Sequence, residues 1–274
     1  MKKFINNIKK YKGYMLYATK ATLKSEVAGS RLNWLWWILD PFLFMLVYTF
    51  VAEIVFGKSE KYFPLFVFIG LNLWNFFSKT VLTSVRTVNK NKGMISKVYI
   101  PKYILILITM MVNFFKMCVA FTLVIIMVPL YRVPITWRIL EIIPLFLALG
   151  VFTFGCSCIV LHFGVYLMDL ANIVNVALRL MFYMSGIFYN VQKRVPKPYN
   201  LLMLDINPVA NIIQGARNCI LYHSHPMYGV AGIWFVISIL LSVLGVQLIV
   251  KHENSYVKAV SYTHLRAHET TLHL

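Results

Sequence analysis

Acidic residues are scarce. The chain holds 9 Asp+Glu against 27 Lys+Arg in 274 residues, and only 13% of it is charged. Soluble domains carry about 25% charged residues, so the deficit excludes an ordinary water-facing surface. Cysteine is also sparse: Cys118, Cys156, Cys158 and Cys219 stand mostly in apolar surroundings. Cys156 and Cys158 are two apart, which puts them on different helix faces, and the four spell no disulfide or zinc framework. A buried carboxylate relay is missing, because Asp40, Glu53 and Glu141 fall near the ends of apolar segments and Asp169 falls between two of them. That weighs against a proton-coupled carrier. No nucleotide loop is present either. Gly57-Lys58-Ser59 imitates the end of one, but the pattern requires a glycine five residues before Gly57, where Ala52 stands. His223 and His225 flank Ser224 with no carboxylate or cysteine pair nearby, so no metal site is signalled.

What is present is apolar length. The chain is 59% hydrophobic with mean hydropathy +0.70. Six apolar segments, at about 35–56, 63–82, 103–130, 139–160, 173–189 and 230–250, are each long enough to be read as a membrane helix. The expected fold is an all-α integral membrane protein with six spans, an N-terminal interfacial amphipathic helix and short outer re-entrant helices. Placing both termini in the cytoplasm leaves fifteen basic residues inside and eight outside, in keeping with the positive-inside rule. The net charge of +18 then reflects loops beside anionic lipid, not nucleic acid.

Residues 1–33 form the first expected region, with eight basic residues and one acid, Glu26. Phe4, Ile5, Ile8, Tyr11, Met15 and Leu16 fall near one helical face, and no signal-peptide core with a small-residue cleavage site is present. Trp34, Trp36 and Trp37 make an aromatic anchor at the entry to the first span. The second region, 34–258, holds the spans.

Three features inside it stand out. The loop 86–102, RTVNKNKGMISKVYIPK, carries five basic residues and no acid between two long spans. Its centre, Lys92, Gly93, Met94, Ile95, Ser96, Lys97 and Val98, has length for two helical turns, with Met94, Ile95 and Val98 on one apolar face, and Pro101 sits at the start of the next helix. A small amphipathic helix there is shaped to dock a soluble partner; an ordinary solvated loop has the same composition. The outer loop 190–229 is rich in proline yet apolar at 201–204 and 209–221, and Asn207 with Pro208 reads as a helix cap and first position. Two cations, Lys116 and Arg179, lie inside spans, where an unpaired charge costs at least about 2.5–3.5 kcal/mol and normally faces a cavity or a partner. Snorkelling to the interface is the simpler reading for Arg179.

These residues resemble the membrane permeases of type-2 ABC exporters, in the branch that exports O-antigen or teichoic-acid polymers. The similarity runs from about residue 10 to residue 258, most specifically through GSRLNWLWWILDPFLFMLVYTF, NKGMISKVYIPK, SGIFYNV and NPVANIIQGARNCILY. The resemblance implies six spans behind an amphipathic helix, a homodimer, and a separate ATPase subunit that alone uses ATP and Mg, with no cofactor on this chain. It implies a coupling helix at Lys92 to Val98. Such permeases often carry arginine before the aspartate of the loop after span four, but here Met168 precedes Asp169.

The expected function is therefore a transport subunit, not an enzyme, that moves a polyprenyl-diphosphate-linked polysaccharide or teichoic acid across the bacterial cytoplasmic membrane. Lys20, Lys24 and Arg31 are candidates to hold the diphosphate electrostatically. Trp34, Trp37, Phe42, Tyr48, Phe182, Tyr183, Phe188 and Tyr189 are candidates to pass sugars by stacking. Two alternatives stand beside this reading: a drug or lipid exporter permease, and an integral-membrane enzyme acting on polyprenyl-linked sugars. The latter needs paired carboxylates, whereas Asp40, Asp169 and Asp205 are isolated. After Val260 the character changes to SYTHLRAHETTLHL, which resembles translated sequencing-adaptor read-through. Residues 259–274 are expected to be a non-native or disordered tail without a role.

Overall fold

The computed structural model describes residues 2–29, 31–55, 60–95 and 97–272. Among the described residues it is helical with no strand. Helix α1 covers Lys2–Val27, and α2, Trp36–Phe50, continues into a π-helical turn at Val51–Val55. Then come α3 (Phe63–Val85), α4 (Thr87–Lys90), α5 (Lys92–Ile95) and α6 (Lys102–Leu130). A 3-10 turn at Trp137–Glu141 leads into α7 (Ile142–Tyr166), followed by α8 (Leu170–Met184). The next segment holds α9 (Val191–Arg194), α10 (Tyr199–Ile206) and α11 (Pro208–Arg217), with a π-helical turn at Asn218–Tyr222. Helix α12 runs over Tyr228–Leu272.

Five stretches are long and apolar enough to cross a membrane: Trp36–Ile54, Phe63–Val85, Lys102–Leu130, Trp137–Tyr166 and Tyr228–Tyr256. The remaining expected span, 173–189, is instead the 15-residue α8, which ends at Met184. At about 1.5 Å per residue it is some 22 Å long, short of a hydrocarbon core of about 30 Å. The chain breaks there because Gly186 takes a left-handed φ of 63°, which a helix cannot continue through.

The helix at the centre is α3. In its span 78% of residues are buried, against 11% for the α2 stretch and 17% for α12. Packed around it are α2, α6, α7, α8 and α11. Leu65, Phe66, Val67, Phe68, Ile69 and Leu73 are wholly enclosed there, so α3 is apolar all round, as a helix buried on every side must be. The closest pairing is α7 with α12. A Cβ on Gly245 would sit 2.5 Å from the Cβ of Cys158, and Ser242 Oγ donates to the Val151 carbonyl at 3.0 Å. Small residues and an interhelical hydroxyl bond are how membrane helices come close without a hydrophobic driving force.

Helix α1 packs along α6. Phe4, Ile8, Tyr11, Tyr14, Met15 and Ala18 join a buried cluster with Tyr103, Ile104, Phe154, Ile249 and Tyr256. Ile5 and Leu16, expected on the same face, are 50% and 45% exposed. The seam recurs at 4, 8, 11 and 15, and at 100° per residue Ile5 and Leu16 fall on its flanks.

Candidate functional site

Four arrangements bear on function. The first is the inner turn. Helix α5 spans only Lys92–Ile95, and backbone bonds from Lys97 N and Val98 N to the Met94 carbonyl add one further turn; Ser96 lies outside the described residues. The expected apolar face does not point outward as a unit. Ile95 is buried, and Met94 is half-buried with its sulfur accepting a hydrogen bond from Tyr14 Oη at 3.1 Å. Val98 is 55% exposed, beside exposed Lys97 and Tyr99. A turn pinned by α1 and α12 is a firm platform, and its outer surface is Gly93, Lys97, Val98 and Tyr99.

The platform is tied to α12 by charge. Glu253 Oε1 receives Lys102 Nζ at 3.4 Å and its Oε2 accepts from Tyr99 Oη at 3.0 Å. Both ion-pair side chains are nearly enclosed, 3% and 10% exposed. Desolvation of its hydroxyl end, and then the Glu253 bond, push the Tyr99 phenol up to about 12, although its ring is exposed. Next to this pair, His162 Nδ1 meets Tyr256 Oη at 2.8 Å.

The second arrangement is a polar cleft of about 120 Å³ between α2, α3 and α6, lined by Trp36, Trp37, Asp40, Asn72, Asn75, Lys79, Asn113 and Lys116, with Glu26 from α1. Lys116 does not snorkel: it pairs with Glu26, at the C-terminal end of α1, and its ammonium lies 6.0 Å from the Trp37 ring. Lys79, on α3, pairs loosely with Asp40 at 3.5 Å, both side chains about half exposed. Asn113 Nδ2 donates to Thr80 Oγ1 at 2.9 Å and joins α6 to α3. Charges at this level in a helix bundle are rare and costly, and here they stand in pairs.

The third arrangement lies on the other side of Lys79. A cleft of about 470 Å³ between α3 and α8 is lined by Trp74, Ser78, Lys79, Leu82, Asn175, Leu178, Arg179, Phe182 and Tyr183. Five of the aromatics expected in the pathway converge at its outer end. Tyr48 stacks on Phe188 at 3.7 Å, Phe188 meets Phe182 at 5.2 Å, and Phe182 meets Tyr183 at 5.5 Å. Tyr189 Oη donates to the Tyr183 carbonyl at 2.9 Å. Trp74, which the sequence did not single out for the pathway, completes the array 5.6 Å from Phe182. The other three expected aromatics lie apart from it: Trp37 faces Phe115 at 5.9 Å, Trp34 is 55% exposed, and Phe42 packs on the core. Lys20, Lys24 and Arg31 are exposed and line neither cleft.

The fourth is a knot that sequence reasoning missed. Arg217, at the end of α11, is 1% exposed. Its Nε donates to the Phe66 carbonyl at 3.0 Å, Nη1 to Gly186 O at 2.7 Å and Nη2 to Ile187 O at 2.9 Å, while the guanidinium lies 3.4 Å from the centre of the Phe66 ring. The fork satisfies the carbonyls freed where α8 stops, which water would otherwise have to do. A Cβ at position 70 would collide with Arg217 Nη2, so any larger residue there has to displace the guanidinium from its three carbonyls. Asn207 caps α11 as expected, accepting from Val209 N and Ala210 N at 3.1 Å, and its Nδ2 donates to Ser185 Oγ at 3.0 Å. The SGIFYNV and NPVANIIQGARNCILY stretches are thus clasped to each other. The one signal in the sequence is a lone arginine in the apolar run 209–221.

The histidines of the outer loop are accounted for locally, His225 Nδ1 against Glu141 at 3.1 Å and His223 Nδ1 against Thr136 Oγ1 at 3.0 Å.

No family model matches the sequence. Individual proteins do. The chain is 25% identical over 226 residues to the O-antigen export system permease protein RfbA of Myxococcus xanthus, covering 82% of this chain and 87% of that protein. It is 25% identical over 236 residues to a protein of the same name from Klebsiella pneumoniae (85% and 90% covered), and over 238 residues to a second one (85% and 90%). The resemblance to the permeases of type-2 ABC exporters in the O-antigen branch, carried in the sequence by four short stretches, extends in these relatives over 82–85% of the chain.

Proposed function

We propose that this chain is the membrane permease of an ATP-driven exporter that carries a polyprenyl-diphosphate-linked polysaccharide, an O-antigen or a teichoic acid, across the cytoplasmic membrane. The observation that carries the reading is the match to three O-antigen export permeases over 82–85% of the chain. In this reading the five long spans, together with the short α8 and the 185–190 segment that continues from it, make six crossings with both termini inside, α1 lies at the inner interface, and α9 to α11 form the outer re-entrant cap. The permease works as a homodimer, and the outward faces of α2 and α8 are the natural seam. Phe44, Val47 and Phe50 on one, and Ile173, Val176 and Leu180 on the other, are all exposed in the single chain. ATP and Mg act on a separate ATPase subunit that docks on the turn at Gly93 to Val98. Residues 34–258 are the permease proper, and residues 259–274 contribute nothing to transport.

The test is ATP hydrolysis by the cognate ATPase, alone and co-reconstituted with this chain, with Val98→Asp as the variant because Val98 is exposed where Ile95 is not. Stimulation by the native chain that falls at least about tenfold with Val98→Asp, at unchanged thermal stability, supports the reading. Failure of the native chain to form a complex or to alter hydrolysis refutes it.

A further inference from the structure

Lys79 and Arg179 were not expected to share a site. Trp74 of α3 and Phe182 of α8 are in ring contact. One turn on from Trp74 toward the end of α3, Ser78 and Lys79 line the same cleft of about 470 Å³ as Leu178 and Arg179, one turn before Phe182. Arg179 is nine residues, about 14 Å, from the start of α8, too deep for a simple reach to the inner surface. Its side chain is exposed and, among the described residues, has no carboxylate within ion-pair distance. Lys79 has only the loose contact to Asp40, across the rim shared with the smaller cleft.

Cations inside spans face a partner or a water-filled cavity and mark the path of a substrate, and here two of them line one open cleft. Two cations on facing walls, one an arginine whose planar fork suits phosphoryl oxygens in pairs, are matched to a ligand with two adjacent negative groups. The wall above them is aromatic, Trp74, Phe182 and Tyr183, and aromatic faces suit the apolar face of a sugar ring. Asn175 at the same wall adds an amide that both donates and accepts. The geometry points to a binding site for a diphosphate ester at Lys79 and Arg179, with the sugar attached to it lying against Trp74, Phe182 and Tyr183. Asp40 is the resident counter-ion that Lys79 leaves when the diphosphate arrives. This rests on the export reading above and moves the diphosphate from Lys20, Lys24 and Arg31 on α1 to the α3–α8 cleft.

The experiment uses the full chain with its ATPase in phosphatidylcholine nanodiscs, titrated with undecaprenyl diphosphate and read by native mass spectrometry. Parallel titrations use undecaprenyl monophosphate, inorganic pyrophosphate and phosphatidylglycerol. Arg179→Gln and Lys79→Gln are each expected to weaken undecaprenyl diphosphate at least about tenfold, Arg179→Lys less, and Lys20→Gln with Lys24→Gln not at all. Undecaprenyl monophosphate or phosphatidylglycerol binding as well as the diphosphate overturns the assignment, and so does pyrophosphate matching the lipid, because the site would then serve a free anion. Undiminished lipid binding in both glutamine variants overturns it as well. ATPase stimulation measured on the same discs separates the two readings: a complex that stimulates hydrolysis, with lipid binding indifferent to both variants, sinks this site alone.

Discussion

Replacing Arg217 with methionine removes the guanidinium and keeps most of the stem's volume. Two carbonyls, of Gly186 and Ile187, then lose this donor in a site that is 1% exposed, while the Phe66 carbonyl, inside α3, keeps its helical bond. A buried group left unsatisfied costs about 1–3 kcal/mol, which puts the two at about 2–6 kcal/mol. The lost contact with the Phe66 ring adds about 1–2 kcal/mol for a desolvated cation–π pair. Against this, the variant no longer holds a charge out of water, a relief of several kcal/mol. The balance is a destabilisation of about 2–4 kcal/mol, or roughly 5–12 °C in melting temperature for a chain of this size. Scanning fluorimetry of the purified chain in detergent measures it. Gly70→Ala should act in the same direction, because its Cβ takes the place of Arg217 Nη2. The double variant should fall short of the sum, since both act on one contact. An Arg217→Met protein that melts with the native chain would refute the knot as the anchor of the α8 break.

Two further outcomes follow from the packing. Glu253→Gln leaves the Lys102 ammonium buried without its carboxylate, so it should destabilise by about 3–5 kcal/mol, and Lys102→Met with Glu253→Met together should destabilise less than either alone; thermal unfolding of these four variants decides it. Thr19→Cys with Met111→Cys should crosslink with a short bifunctional thiol reagent in native membranes, because Thr19 Oγ1 and Met111 Sδ lie 3.9 Å apart where α1 runs along α6. An α1 that lies free on the lipid surface would give no crosslink on a gel comparison.

Much of the fold was legible from one-dimensional pattern. Apolar runs of about 20 residues announce helices because a chain in lipid must satisfy its backbone internally. Asn207 followed by Pro208 announced a cap because the capping oxygen and the missing N–H are both local. Pro101 likewise stands at the N-terminal boundary of α6. The candidate site was legible only in part. Tyr48, Phe182, Tyr183, Phe188 and Tyr189 do converge, yet Trp74, which meets the array at Phe182, looked like any aromatic in a span. Ile95 read as part of an outward face because periodicity defines a stripe without saying which neighbour covers it, and α1 and α12 cover this one.

By itself the sequence determined that the chain is helical, apolar enough to span a membrane and strongly basic, because these follow from composition and spacing along a single strand of residues. Only the tertiary structure decided which charges have partners. Lys116 finds Glu26 ninety positions away, Lys102 finds Glu253, and Arg217 finds the carbonyls of Phe66, Gly186 and Ile187. Arg179 and Lys79 are left facing one cleft. A charge's energy at membrane depth is set by what lies within a few ångströms of it, and that distance bears no relation to separation along the chain.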